Sequence, residues 1–203
     1  MNESGRVEAF SDGVFAIAIT LLILEIKVPK GAGDRLWSAL GEQWPSYAAY
    51  AVTFLVIGIM WVNHHTVFGY IAHVDRRLLF LNLVLLMGVA ALPWPAALMA
   101  EYLTEPNASH VAAAVYSGFM VFHALVFQLL WWHLTKSGHL FDDRVDAAAA
   151  RATRGRFALG SVVYPVTVGL AFVSAPLTLA VHGVLAVYYA FNQVPVPERA
   201  TSS

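Results

Sequence analysis

The hydrophobic positions of this 203-residue chain fall into six long runs that are separated by short polar stretches. A helix needs about 20 mostly apolar residues to cross a bilayer core about 30 Å thick. The runs are continuously apolar rather than alternating, which favours helices over the strands of a membrane barrel. The pattern therefore predicts an all-α integral membrane protein with six transmembrane helices, at about residues 7–28, 45–71, 78–102, 109–135, 157–173 and 176–193.

Prolines and short connections add detail to this plan. Pro93 and Pro95 lie inside the third run and predict a kink near Leu92. The fifth run contains Pro165, and little more than residues 174–176 separates it from the sixth run. These last two runs are short, and their close spacing predicts a tight helical hairpin.

Lysine and arginine are distributed unevenly among the connections, which predicts the orientation. If the N-terminus is cytoplasmic, nine of them lie on the inner side and three on the outer side, namely Lys27, Lys30 and Arg35. The positive-inside rule then places both termini in the cytoplasm. We expect a multi-pass protein of the cell membrane, with residues 1–194 as one six-helix domain and residues 195–203 as a disordered cytoplasmic tail.

The composition agrees with a membrane protein and narrows its chemistry. Hydrophobic residues make up 59% of the chain and charged residues 12%, about half the roughly 25% of a soluble protein. The 12 basic and 13 acidic residues leave no net basic field for nucleic acid. The chain has no cysteine, which excludes disulfides, thiolate metal sites and cysteine nucleophiles.

The first predicted helix has a different character on each face. At about 100° per residue, one line within about 40° carries an apolar ridge of six residues: Phe10, Gly13, Ile17, Leu21, Leu24 and Val28. A stripe of small residues lies beside the ridge and suits close helix packing: Ala9, Gly13, Ala16 and Thr20. Asp12 lies about 140° away, and we expect it to face its own subunit because an unpaired carboxylate is costly in lipid. Taken alone, the ridge is most simply interpreted as a lipid-facing surface.

The same helix carries a family resemblance. Residues 6–17 read R-x-x-x-F-S-D-G-V-F-A-I, with Arg6, Phe10, Ser11 and Asp12 at the defining positions. This sequence strongly resembles the signature of the transmembrane protein 175 family, which comprises potassium channels of lysosomes and bacteria. The length and the six-helix plan are similar to those of the short bacterial members. The resemblance implies a homotetramer whose first helices surround a central pore.

The resemblance also implies where the pore is narrow. The family uses rings of bulky apolar side chains in place of a carbonyl filter, and this chain has no T-V-G-Y-G loop. Aligning the motif puts the constriction at Ile17, Leu21 and Leu24, the residues that share one face of the helix. The family's threonine layer falls on Thr20, about 60° from that line, where it would meet the pore edge or a neighbouring subunit.

A polar network between helices is the expected anchor of the R-x-x-x-F-S-D motif. We expect Asp12 to pair with Trp61, His65 and Asn82, of which the first two are four residues apart and share a helix face. The adjacent His64 and His65 could instead bind a metal, but neighbouring helix residues point about 100° apart and are poor joint ligands. We therefore expect no metal site and no cofactor.

These features favour a passive cation channel with a modest preference for potassium, in which narrow apolar rings control wetting of the pore. The expected partners are potassium ions, further copies of the chain and membrane lipid. The alternative is an ion- or proton-coupled secondary transporter, but the chain lacks inverted repeats and paired broken helices. An enzyme is not expected, because the chain contains neither H-E-x-x-H nor G-x-S-x-G.

Overall fold

The computed structural model describes residues 3–157 and 159–191, and its secondary structure within these residues is helical. Among these residues, four helical segments are long and apolar enough to cross a membrane: Glu3–Glu25, Trp44–Phe68, Arg76–Tyr102 and Ala108–Ser137. Two shorter apolar helices, Leu159–Ala171 and Ala175–Phe191, complete the set. The all-α prediction is confirmed, and each of these apolar helical segments overlaps one of the predicted runs. The predicted tail, residues 195–203, lies outside the described residues.

The helices are numbered here in chain order. They are α1 (Glu3–Leu21), α2 (Leu36–Glu42), α3 (Trp44–Phe68), α4 (Arg76–Ala91), α5 (Pro93–Tyr102), α6 (Ala108–Ser137), α7 (Ala147–Ala152), α8 (Arg154–Phe157), α9 (Leu159–Ala171) and α10 (Ala175–Phe191).

The first span ends earlier than the sequence pattern predicted. Helix α1 passes at Leu21 into a 3₁₀ turn, Leu22–Glu25, and Ile26 is already extended. Pro29 disfavours the helical conformation at the residue before it, Val28, so an apolar side chain there does not prolong the helix. Val28 therefore lies beyond the helix and does not continue the ridge.

The third span is divided at Leu92, as predicted. Helix α4 ends at Ala91 and α5 begins at Pro93, with the buried Leu92 between them. Proline has no backbone N–H to donate, and its ring crowds the preceding turn, so Pro93 and Pro95 interrupt the hydrogen bonds that would join the two helices.

The helices surround a shared apolar core. One face of α1 contributes Phe15, Ala18 and, through the 3₁₀ turn, Leu22, all of which are buried. Helix α6 packs against α4, α5 and α9, and α10 packs against α3 and α9. Buried polar pairs join α3, α6 and α10: the Thr53 and Tyr116 hydroxyls lie 3.0 Å apart, as do Ser117 Oγ and His182 Nε2.

The packing of α4 against α6 leaves no room for a side chain at Gly88. A Cβ atom at this position would lie 2.6 Å from Cε1 of Phe122 and 2.8 Å from Nε2 of His123. Overpacking of this kind typically costs about 1–3 kcal/mol, and we expect that loss of unfolding free energy in Gly88→Ala. Thermal unfolding in detergent measures it.

Gly118→Ala, in α6, is the matched control. A Cβ there would meet nothing within 4 Å, and alanine is a better helix former than glycine by about 1 kcal/mol. Equal stability of the Gly88→Ala and wild-type chains would contradict the close approach.

At one end of the molecule, the connection between α3 and α4 contacts the connection between α6 and α7. Ile71 and Phe141 form an isolated antiparallel bridge. Asp75 caps α4 by accepting a hydrogen bond from the Leu78 backbone N–H, and its carboxylate also lies 2.9 Å from Nε2 of His133 in α6. Partial burial acts to raise the pKa of Asp75, but the bonds from Leu78 and His133 outweigh it and hold the pKa below the ordinary 3.8.

This depressed pKa predicts an acid-sensitive contribution to stability. The contribution is present above the pKa of the unfolded chain and is lost as the pH falls through the lower folded-state pKa. Asp75→Asn retains a capping oxygen but not the charge. We expect the variant to be less stable at neutral pH, and the difference to shrink on acidification from pH about 5 to 2 in thermal unfolding curves. A difference that stays constant over that range would contradict the assignment.

Candidate pore-lining face and its polar anchor

Helix α1 has one face that packs in the core of the chain and another that is exposed. Phe15, Ala18 and Leu22 are buried in the core of the chain, whereas a second apolar row faces outward. The exposed fractions in that row are 61% for Ile17, 42% for Leu21 and 68% for Leu24. The predicted constriction residues thus share one outward face, which the described part of the chain leaves uncovered.

The 3₁₀ turn preserves this row beyond the end of α1. Ile17 and Leu21 are four residues apart in an α-helix and lie on the same face. From Leu21 onward the turn has about three residues per revolution, so side chains at i and i+3 eclipse each other. Leu24 consequently lies directly over Leu21, and the outward row continues into the turn.

A strip of small residues borders the row. Ala9, Gly13, Ala16 and Thr20 are exposed, and a Cβ placed on Gly13 would meet nothing within 4 Å. The Thr20 hydroxyl lies 3.0 Å from the Ala16 carbonyl oxygen and 2.9 Å from that of Ile17, so its proton is donated to the helix backbone. Its oxygen lone pairs stay free to accept from water or to face a cation.

The opposite side of α1 is held by a hydrogen bond to α3. Trp61 Nε1 donates to Oδ1 of Asp12 at 2.9 Å, as the sequence predicted. The Trp61 ring stacks on that of His65, with centroids 5.8 Å apart. His65 pairs with Glu8 through a 2.8 Å contact between Nδ1 and Oε1. The prediction that His65 binds Asp12 is therefore wrong: Glu8, one turn earlier on α1, takes that position.

A second, buried set of hydrogen bonds ties α1 to α3 and α4. Asn82 donates its amide to Oγ of Ser11 at 3.0 Å, and Ser11 donates to the Val7 carbonyl at 2.8 Å. The remaining amide oxygen of Asn82 lies 2.9 Å from Nε2 of His64, which must act as the donor. Asn82 thus pairs with Ser11 and not, as predicted, with Asp12.

His64 is the network residue that the sequence analysis missed. It is fully buried and stacks on Phe68, with centroids 4.0 Å apart. Ser11 and Asp12 point about 100° apart, so one meets α4 and the other meets α3. The spacing of Ser11 and Asp12 could have indicated two sets of partners rather than one.

Arg6 and Phe10, predicted to belong to the network, lie outside these hydrogen bonds. Both are exposed and line an open groove of about 530 Å³ between α1 and α4, together with Leu79 and Leu83. Within the described residues, no group of three or more histidine, aspartate or glutamate side chains is arranged to hold a metal ion.

Comparison with known proteins places this geometry in a family. The family model for the "Endosomal/lysosomal potassium channel TMEM175" matches residues 6–93, which include most of α1 and both sets of anchoring bonds. A protein of Streptomyces collinus, named as a potassium channel, is 76% identical over 204 residues, covering 100% of this chain and 99% of its own length. The chain belongs to the TMEM175 family.

Other members of the family align with different fractions of this chain. The crystal structure of a TMEM175 homologue from Chamaesiphon minutus, described as lysosomal and potassium-selective, superimposes with a TM-score of 0.83. It is 44% identical, covering 93% of this chain and 97% of that one. TMEM175 of Gallus gallus, named as an endosomal/lysosomal proton channel, is 38% identical over 136 residues, covering 63% of this chain and 27% of its own.

Proposed function

We propose that this TMEM175 protein is a passive, potassium-selective cation channel in which the outward row of α1 lines the pore. The observation that most directly supports this proposal is that α1 has one row of residues facing the core and a second, exposed apolar row. An apolar row that only contacts lipid does not need to follow one line along the helix. This row lies in the part of the chain that the TMEM175 family model matches.

In the proposed assembly, four copies place their α1 helices around a central axis. The strip of small residues beside the row permits the close approach of neighbouring helices that such an arrangement needs. Ile17, Leu21 and Leu24 then form three stacked apolar rings. We further propose six membrane spans per copy, with both termini in the cytoplasm and the channel in the cell membrane.

The rings would control ion passage through hydration. A narrow apolar ring expels water and raises the barrier for an ion, while a slightly wider ring stays wet and lets a partly hydrated ion pass. Ring diameter and the Thr20 oxygens are the proposed sources of selectivity. We expect a modest preference for potassium over sodium, because apolar side chains offer an ion no coordinating ligands.

The two sets of hydrogen bonds have a mechanical role in this proposal. Trp61 holds Asp12 against α3, and Asn82 holds Ser11 against α4. Two bonds in different directions oppose rotation of α1 about its axis. They would keep the apolar row directed at the pore, and neither carboxylate nor amide would need to contact the permeating ion.

Reconstitution in liposomes tests the function directly. Once its tetrameric mass is verified, the purified chain is expected to dissipate an imposed potassium gradient faster than a sodium gradient. Protein-free liposomes are the control. Proton flux is measured in parallel. A verified tetramer without passive cation flux would contradict the proposal. Flux that saturates and requires a second ion would instead favour a coupled transporter.

A further inference from the structure

A groove lies between the first turns of α4 and the last turns of α6, on the outside of the chain. Its volume is about 580 Å³ and it is open to the surroundings. Its lining includes Arg76, Arg77, Phe80, Val84, Leu129 and Trp132. The groove combines a basic mouth with an apolar wall, because the two arginines begin α4 and the other four residues lie farther along the two helices.

Both sides of the mouth hold a cation over an aromatic ring. The Arg76 guanidinium lies 5.6 Å from the centroid of Phe80 in α4, and the Lys136 ammonium lies 4.7 Å from that of Trp132 in α6. Arg76 begins α4 and Lys136 is near the end of α6, so the two cations lie at the same end of the helix pair. Such stacking orders long side chains and lowers the entropy cost of binding an anion between them.

The positive charge at the mouth is not neutralised from within the groove. No acidic side chain is among the described residues that line it. Asp75 precedes Arg76, but its carboxylate is engaged by the cap of α4 and by His133, which is itself a residue of the groove lining. The mouth is therefore complementary to an anionic group.

The wall below the mouth is apolar and half-exposed. Phe80 and Val84 are one turn apart on α4, and Leu129 and Trp132 are one turn apart on α6, so they form two facing apolar rows. Helix α6 and the segment formed by α4 and α5 are each long and apolar enough to cross a membrane. A ligand that fits must carry a negative charge at one end and a hydrocarbon chain at the other.

We propose that this groove binds an anionic phospholipid. Its phosphate lies between Arg76, Arg77 and Lys136, and the upper part of one acyl chain lies along the wall. Basic pockets between transmembrane helices suit anionic headgroups, and each basic residue near the surface contributes about fivefold in affinity, equivalent to about 1 kcal/mol.

Lipid is a better occupant than a second copy of the chain. Helix α4 contacts α1 on one side and α6 on the other, and each side has its own groove. This step rests on the proposed function: with α1 at the pore axis, the groove beside α1 is the inner one. The groove beside α6 is then directed outward, toward the bilayer.

Photoactivatable lipids test the proposal on the full chain without any ion gradient. We expect phosphatidylglycerol with a diazirine in its acyl chain to label residues 80–84 and 129–132, as located by mass spectrometry. Phosphatidylcholine with the same diazirine should label them several-fold less. Lipid binding and ion flux are separate measurements, so a failure of one is distinguishable from a failure of the other.

Affinity measurements with matched variants identify the headgroup contacts. In native mass spectrometry, Arg76→Gln combined with Arg77→Gln should weaken phosphatidylglycerol binding about 25-fold, from about fivefold per residue. Arg151→Gln removes an exposed arginine of α7 outside the groove and should have little effect. If the double variant does not fold, Lys136→Gln alone should weaken binding about fivefold.

Three outcomes would overturn the proposal. The first is equal labelling by the two lipids, and the second is equal weakening by Arg151→Gln and the groove variants. For the third, Leu129 is replaced by the photocrosslinking residue benzoylphenylalanine. A covalent dimer as its main product would show that a second copy fills the groove.

Discussion

Replacing Ile17 with alanine should raise single-channel conductance on the order of threefold and weaken the discrimination between potassium and sodium. Ile17 lies near the middle of the first span, in the outward row of α1. Its β-branched side chain has few rotamers and so defines an aperture well. In a four-fold assembly the lost volume is removed four times at one level of the axis, which widens the ring and keeps it wet.

Ile17→Asn separates wetting from size. Asparagine is of similar size to isoleucine, but its polar amide removes the barrier that a dry ring presents to ions. We therefore expect this variant to conduct more than the wild type as well. Single-channel recordings in planar bilayers, with reversal potentials under a potassium–sodium gradient, measure conductance and selectivity together.

Ile23 provides the matched control. It is the same residue type and is 51% exposed, close to the 61% of Ile17. In the 3₁₀ turn successive residues lie about 120° apart, so Ile23 points about 120° from Leu21 and Leu24. Ile23→Ala should leave conductance nearly unchanged. A strong effect at Ile23 with none at Ile17 would show that a different face of the helix lines the pore.

Weakening the bond between Asp12 and Trp61 by Asp12→Asn, which keeps an accepting oxygen but removes the charge, should destabilise the proposed tetramer without changing its selectivity. The bond is 2.9 Å long and joins α1 to α3 on the side away from the outward row. A hydrogen bond to a charged group typically contributes about 1.5–3 kcal/mol, and interhelical bonds in membranes contribute somewhat less. We expect Asp12→Asn to cost about 1–2 kcal/mol per copy, measured as loss of tetramer on heating.

A double-mutant cycle isolates this bond. Trp61→Phe removes the indole N–H but keeps an aromatic ring to stack on His65. If the bond accounts for the effect, the double variant should be little worse than either single variant. Glu8→Gln, which alters the neighbouring acid that pairs with His65, is the comparison for a general loss of charge from α1. A stable Asp12→Asn tetramer with sharply altered selectivity would place Asp12 in the pore.

Much of this fold could be predicted because the signals were local. Hydrophobic run length indicated the helical segments, and Pro93 and Pro95 indicated the break at Leu92. The outward row followed from helical periodicity, since Ile17 and Leu21 share a face in an ideal helix. The end of the first span was less predictable, because Val28 continues the apolar run while Pro29 acts on the backbone.

The partners of the polar side chains could not be predicted from one sequence. Trp61 was identified correctly as the partner of Asp12, but His65 binds Glu8. Which side chains meet depends on the rotation and axial shift of α3 and α4 against α1. A shift by one turn exchanges Asp12 for Glu8 with almost no change in the sequence pattern.

The sequence by itself determined that this is a helical membrane protein of the TMEM175 family with one apolar row on its first helix. Composition, run length and the R-x-x-x-F-S-D motif carry that information along the chain. Only the tertiary structure decided that Ser11, His64 and Asn82 form a buried set apart from Asp12. Only the pairing of α4 with α6 brings Arg76 and Trp132 to one groove, since residues 56 positions apart come together through packing alone.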